Sequence, residues 1–240
     1  MGHILVTGSS RGIGRAALDA LSARGAKVIG HASRAPAMAG EVPIIAADFG
    51  NPLAAQSLWE AALDLAGGAI DAVVNNAGRF EANRLDRSDI EWLDAWEDTM
   101  RVNLTSAAQL SRLAVLHWQE RGFGGRLVHV ASRAAYRGDS PAHWHYAAAK
   151  SGMVAMHKTI ARAYAKDGIL SFAVTPGFTD TSMAGDYLAS RGGPGLLADI
   201  PLGRVATPEE IAAIVTFCAL DAPPSMTGAV IDANGASYVR

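Results

Sequence analysis

Tyr146 and Lys150 stand four residues apart in Tyr146-Ala147-Ala148-Ala149-Lys150, so on a helix both side chains leave one face about one turn apart. A tyrosine with an ordinary pKa of about 10 is a poor acid–base catalyst near neutrality, but a neighbouring ammonium stabilises its phenolate and draws it toward the working range. The neutral phenol can then protonate a carbonyl oxygen as hydride reaches carbon, and the phenolate can take the alcohol proton in reverse. The same spacing serves an ordinary amphipathic helix with Lys snorkelling past Tyr, and on spacing alone that is the commoner case. A second segment, Thr7-Gly8-Ser9-Ser10-Arg11-Gly12-Ile13-Gly14, follows a β-branched run and opens a helical pattern. Glycines there let backbone N–H groups approach a pyrophosphate at a helix N-terminus. The spacing is G-x-x-x-G-x-G, and a plain strand-to-helix turn would also satisfy it.

The end of the second strand bears on which dinucleotide such a loop would hold. Enzymes that use NAD place a carboxylate on the ribose diol about 20 residues past the glycine loop. Here the segment is Gly30-His31-Ala32-Ser33-Arg34, with no acid before Glu41. Arg11, Ser33 and Arg34 offer the cationic and hydroxyl donors that a 2'-phosphate needs, so NADP(H) is expected over NAD(H). Each arginine is equally at home as a solvated surface charge.

The elements that position these residues are legible in the hydrophobic pattern. Ile4-Val6, Val28-Ile29, Pro43-Ala46, Ala72-Val74, Leu127-Val130, Leu170-Val174 and Val230-Ile231 are continuously apolar runs, as in parallel strands buried on both faces. Between them lie helical patterns, among them Gly12-Arg24, Asp89-His117, Tyr146-Asp167 and Thr207-Leu220. The last opens with Thr207-Pro208-Glu209-Glu210, an N-cap, a first-turn proline and two acids. The expected fold is α/β: one Rossmann-like, doubly wound domain over residues 1–240, with a parallel sheet and helices on both faces. The stretch 34–41 is too short and Pro/Gly-interrupted for a crossover helix. Phe178 to Gly203, punctuated by glycines, reads as a substrate lid.

Composition excludes several classes. Of 240 residues 50% are hydrophobic and 18% charged, and the formal net charge is −2, so the chain folds around a core and nothing electrostatic argues for nucleic acid or an anionic membrane. The single cysteine, Cys218, sits in an apolar run and packs as a hydrophobe. No apolar stretch reaches the roughly 18 residues of a membrane span. The N-terminus enters a strand at once without a signal segment, and a cytoplasmic location is expected.

Taken together, the segments resemble the short-chain dehydrogenase/reductase family, in its common shorter branch, over nearly the whole chain. Thr7 to Gly14 is similar to its T-G-x-x-x-G-x-G loop, Asn75-Asn76-Ala77-Gly78 to its N-N-A-G motif, Tyr146 to Lys150 to its Y-x-x-x-K, and Pro176-Gly177 with Thr179 and Thr181 to the segment that closes over the nicotinamide. The resemblance implies Asp48 at the adenine, Asn76, Ala77 and Gly78 on the adenosine-ribose side, and Lys150 on the nicotinamide ribose. It implies Ser132 as the hydroxyl on the substrate oxygen, Tyr146 as the acid/base, and Asn103 as the helical residue that holds a water linked to the lysine. One departure is the interval of fourteen positions from Ser132 to Tyr146, one longer than in many members, so the intervening loop is expected to bulge. Ser140 is a competitor for the role of Ser132. The resemblance also implies a homotetramer or homodimer in which the long helix and the Tyr146 helix pair with their copies. Asn234 and Ala236 depart from the family's usual last-strand residues.

Other residues have plainer uses. His143-Trp144-His145 invites a metal, but no Cys, Asp or Glu spacing completes a ligand set, so no metal is expected. These residues, with Phe80, Tyr136, Met183 and Tyr187, would shape a substrate mouth. Trp92, Trp96, Met100 and Leu104 form one helix stripe, suited to core or subunit contact. The favoured function is an NADP(H)-dependent oxidoreductase acting on a secondary alcohol or ketone. The alternatives are a dinucleotide-binding regulatory or scaffold protein without chemistry and, among enzymes, a 3-oxoacyl carrier-protein reductase against a sugar, polyol or small-ketone reductase. Arg79, Arg84, Arg133 and Arg137 are candidates for a basic patch facing an acidic carrier protein.

Overall fold

The computed structural model describes residues 2–35, 42–181 and 193–240. Seven strands, β1 (His3–Val6), β2 (Lys27–Ala32), β3 (Ile44–Ala46), β4 (Ala72–Asn75), β5 (Gly125–Val130), β6 (Ile169–Pro176) and β7 (Val230–Ala233), form one sheet in the order β3-β2-β1-β4-β5-β6-β7. Every pairing is parallel. The chain winds outward from β1 to β3 and then returns to the other side of β1 with β4, which leaves a crevice beyond the carboxyl ends of β1 and β4 where open α/β sheets bind ligands.

The helices are α1 (Gly12–Ala23), α2 (Ala54–Leu65), α3 (Asp89–Met100), α4 (Ser106–Arg121), α5 (Ala134–Arg137), α6 (Trp144–Tyr164), α7 (Gly193–Ala198) and α8 (Pro208–Leu220). Alternation along β1 shows why its run is continuously apolar. Ile4 and Val6 join the layer built with α1 and α8, while Leu5 joins the layer with α2 and α4, so neither face meets water. The α/β doubly wound fold expected from the sequence is the fold found.

The differences are local. Helix α2 was not among the helical patterns singled out in the sequence. The pattern Asp89–His117 is one rod with an interruption, α3 passing into α4 through a π turn at Arg101–Thr105, and it runs to Arg121, where Gly122 at φ 66° supplies the left-handed cap. A capping box between Ser88 and Glu91 starts α3, and the expected one at Thr207 and Glu210 starts α8. The longer interval after Ser132 is taken up by α5, which ends at Gly138 with φ 76°. Most of the short connection at 34–41, and residues 182–192 of the expected lid with Met183 and Tyr187, lie outside the described residues. Among those described, no helix is long and apolar enough to cross a membrane.

Candidate active site

A cleft of about 370 Å³ occupies the crevice. The glycine loop forms one wall. The Thr7 side-chain oxygen accepts the backbone N–H groups of Asn76 and Ala77 at 2.9 and 3.0 Å, and the Asn76 amide donates to the carbonyls of Thr7 and Gly8 at 2.9 and 3.1 Å. The segment after β1 and the segment after β4 are thus stitched together across the switch point. Close packing demands the glycines: a Cβ on Gly14 would lie 2.2 Å from the Gly8 carbonyl oxygen, and one on Gly8, whose φ is +65°, would lie 2.8 Å from the Ala77 Cα. What faces the cleft is bare backbone at the start of α1, a cradle that fits the pyrophosphate of a dinucleotide.

Gly8, Ser10, Arg11, Gly12, Ile13 and Gly14 line this end, with Ser33, Asp48, Asn76, Ala77 and Gly78. Arg34 is exposed and is not among the lining residues. Among the lining groups given no role in the sequence reading are His31, Phe49, Glu81 and Asp139. His31 was in plain view at the end of β2, but its partners come from two other loops and no spacing rule finds them.

At the other end the cleft is lined by Ser132, Tyr146, Lys150, Pro176, Gly177, Thr179 and Thr181. Ser132 lies just past β5 and its oxygen accepts the Ala134 N–H at 3.1 Å, which starts α5. Lys150, 4% exposed, donates from Nζ to the Val130 carbonyl at 2.8 Å, and burial pulls its pKa down to about 8. Burial pushes the Tyr146 phenol up to about 12, against a hydrogen bond with Ser132 that favours ionisation. This corrects the expectation of a tyrosine drawn toward neutrality. Desolvation sets the direction, Asp139 adds to it, and the Lys150 Nζ stands 5.8 Å from the ring centroid.

Asn103 sits in the π turn, fully buried, and is not among the lining residues. Its amide clamps the Arg79 peptide, accepting the N–H at 2.8 Å and donating to the carbonyl at 2.9 Å, and so holds the strand-end segment against which Lys150 packs. Ser140, the competitor of Ser132, is hydrogen-bonded to His143 Nδ1 at 2.6 Å and does not line the cleft.

Of the expected substrate mouth, Phe80 lines the cleft, stacked on His143 at 4.0 Å and edge-on to Tyr146 at 4.8 Å. His143 and His145 are buried behind it, and Tyr136 points elsewhere, stacked on Tyr238 and hydrogen-bonded through its hydroxyl to Arg240. Arg133, Asp139 and Phe178 complete the mouth, with the Arg133 guanidinium 4.7 Å over the Phe178 ring. Among the described residues no three His, Cys, Asp or Glu side chains converge as metal ligands. Cys218 is buried with its thiol pushed up to about 11, which keeps it unreactive.

Comparison with known proteins gives consistent results. Residues 8–235 match a family model described as enoyl-(acyl carrier protein) reductase. The 3-oxoacyl-(acyl-carrier-protein) reductase FabG of Vibrio cholerae is 38% identical, over 98% of this chain and 96% of its own. An uncharacterised short-chain type dehydrogenase/reductase of Sinorhizobium fredii is 32% identical over 97% of this chain and 94% of its own. A solved structure from Agrobacterium tumefaciens, provisionally assigned as a 2-deoxy-D-gluconate 3-dehydrogenase and holding NADP, has a TM-score of 0.88 at 28% identity, covering 100% of this chain and 97% of that one.

Proposed function

The chain belongs to the short-chain dehydrogenase/reductase family, and we propose that it is an NADP(H)-dependent oxidoreductase interconverting a secondary alcohol and a ketone, with Tyr146 as the acid/base. The observation that carries this reading is the meeting of Ser132, Tyr146 and Lys150 at one end of a cleft whose other end is the glycine cradle. A protein that had kept only dinucleotide binding would have no use for all three.

The dinucleotide would lie on the Gly8–Gly14 loop, Asn76 to Gly78 and Pro176 to Thr181, and when bound it supplies or accepts the hydride. The protein's part is proton management. In reduction, Tyr146 gives its proton to the oxygen that gains charge, the Ser132 hydroxyl hydrogen-bonds that same oxygen, and Lys150 stabilises the phenolate left behind. Arg11 and Ser33 line the end of the cleft where a 2'-phosphate would sit and Arg34 follows β2, exposed, and no acid stands among residues 30–34 to meet a ribose diol, which supports NADP(H). The NADP held by the Agrobacterium protein adds to that support.

Within the family the 38% identical 3-oxoacyl-(acyl-carrier-protein) reductase supports an acyl group on a carrier protein as substrate, and a small ketone or alcohol is the alternative. Three of the four candidate patch arginines are already matched with acids: Arg79 with Asp98, Arg84 with Asp86 and Arg137 with Asp199. Pairing of the α3–α4 rod between copies, as dimer or tetramer, would cover the exposed Ile90, Leu93 and Leu116. The deciding experiment follows NADPH oxidation and NADP reduction over a panel of ketones and alcohols, beside NADH and NAD. Tyr146→Phe is expected to lower turnover by about two to four orders of magnitude with dinucleotide binding retained, and substantial activity in that variant refutes the assignment.

A further inference from the structure

His31 is bonded to the glycine loop at every polar atom but one, and that one is bonded to the loop after β3. Its backbone N–H donates to Ser9 Oγ at 3.0 Å and its carbonyl accepts the Ser9 N–H at 2.8 Å. Its ring Nδ1 lies 3.0 Å from the Gly8 backbone nitrogen, and Nε2 lies 2.8 Å from the Ala47 carbonyl oxygen. A backbone N–H only donates and a carbonyl only accepts, so Nδ1 must be bare and Nε2 must carry the proton. These two bonds select one tautomer of a neutral imidazole. The ring is stacked on Phe49 at 4.3 Å and lines the same cleft.

Gly8 has no side chain to be held by, and it occupies a left-handed conformation. Its carbonyl is taken by Asn76, and its N–H by His31. Two side chains from different strand ends therefore grip the first glycine of the cradle. On the reading that this cradle holds the dinucleotide, we propose that neutral His31 is a positioning residue for dinucleotide binding, fixing Gly8 in place, and that protonation of its ring releases the loop. The cationic ring would present an N–H to the Gly8 N–H, donor against donor, across a bond that cannot then form.

Burial holds the ring neutral at rest, against the groups that face it. From the β3–α2 loop Asp48 favours the cation, as does the bond to Ala47, yet burial dominates and holds the pKa below the ordinary histidine range. From the glycine loop Arg11 lines the same cleft, and on the ring's own side Arg34 lies beyond β2, exposed.

Two substitutions separate the parts of this device. His31→Phe keeps a ring on Phe49 and removes the acceptor, while His31→Asn restores a short acceptor for Gly8 and does not titrate. Dissociation constants for NADPH, measured by fluorescence titration at pH 7.5 and 5.5 with folding checked by circular dichroism, give the result. His31→Phe is expected to weaken binding about tenfold at pH 7.5, the effect of one buried donor left unpaired, with His31→Asn recovering most of that loss. The wild type is expected to lose more affinity on acidification than His31→Asn. His31→Phe within twofold of wild type, or equal acid losses in wild type and His31→Asn, overturns the proposal. Failure of the wild type to bind either NADPH or NADH would instead refute the dinucleotide assignment itself.

Discussion

Two histidines buried beside β5 are expected to set the acid limit of this protein. His129 on β5 and His157 on α6 are fully buried with ring centroids 5.9 Å apart. His157 Nδ1 pairs with the Ser171 hydroxyl at 2.8 Å, and His129 Nδ1 meets the Asn75 amide at 3.4 Å. Burial lowers His129 to about 3, helped by the charges of His157 and Lys150, and lowers His157 to about 4. A folded-state pKa below the unfolded value of about 6.5 means that the stability is intact above 6.5 and is lost as pH falls from there toward the folded values. At pH 5 both side chains are still neutral in the fold while the unfolded chain has protonated both. Each then costs about 1.4 kcal/mol per pH unit over 1.5 units, roughly 2 kcal/mol, or about 4 kcal/mol for the pair. That sum barely depends on whether the folded values are 3 or 4, since neither group titrates above pH 5, and it is a large part of an ordinary domain's stability. Urea unfolding at pH 7.5 and 5.0, at fixed protein concentration, measures it. His129→Leu removes one proton-binding site from the unfolded chain, so its loss of stability between the two pH values should be smaller than the wild type's by about 2 kcal/mol. An identical loss in variant and wild type refutes the reasoning, because it means that His129 does not resist protonation in the folded state.

NADPH is expected to bind at least about tenfold tighter than NADH, with Arg11→Ala erasing more of the preference than Arg34→Ala because only Arg11 lines the cleft; parallel fluorescence titrations decide, and equal affinities would defeat the NADP(H) assignment. Thr7→Val leaves the partly buried N–H groups of Asn76 and Ala77 without their acceptor and should destabilise the chain by about 1–3 kcal/mol in urea, while Thr7→Ser should cost much less; similar losses in both would show that the hydroxyl is not what matters. Gly14→Ala should lose dinucleotide binding, since its methyl would strike the Gly8 carbonyl, whereas Gly195→Ala meets nothing within 4 Å and should bind normally. Lys150→Ala should harm both turnover and dinucleotide affinity, and Ser132→Ala mainly turnover, a contrast visible in separate kcat and KM measurements.

The sheet was legible because parallel strands buried on both faces leave unbroken apolar runs, as Ile4, Leu5 and Val6 show by dividing between two cores. The glycine loop and the Tyr146–Lys150 pair were legible because their chemistry depends on local spacing. What depends on burial or on distant partners was not. The direction of the Tyr146 pKa is fixed by how deeply the cleft buries the phenol, and nothing in a helix repeat reports that. His31 acts through Gly8 and Ala47, partners 23 and 16 residues away. Tyr136 was expected at the mouth, but Tyr238, Arg240 and Lys158 hold it away from the cleft.

The π turn at Arg101–Thr105 has a consequence for what this gene can lose. A π turn is an α-helix carrying one surplus residue, so deleting a single codon there would give a better helix, with a regular ladder and no wide loop. Because the surplus residue is absorbed in that wide turn, the two halves of the rod would keep nearly the same register, and what would vanish is the bulge itself. Asn103 would leave the place from which it grips the Arg79 peptide. Deletion there would improve the helix and unmake the site, so length at this point is expected to be under stricter selection than the identity of most residues around it.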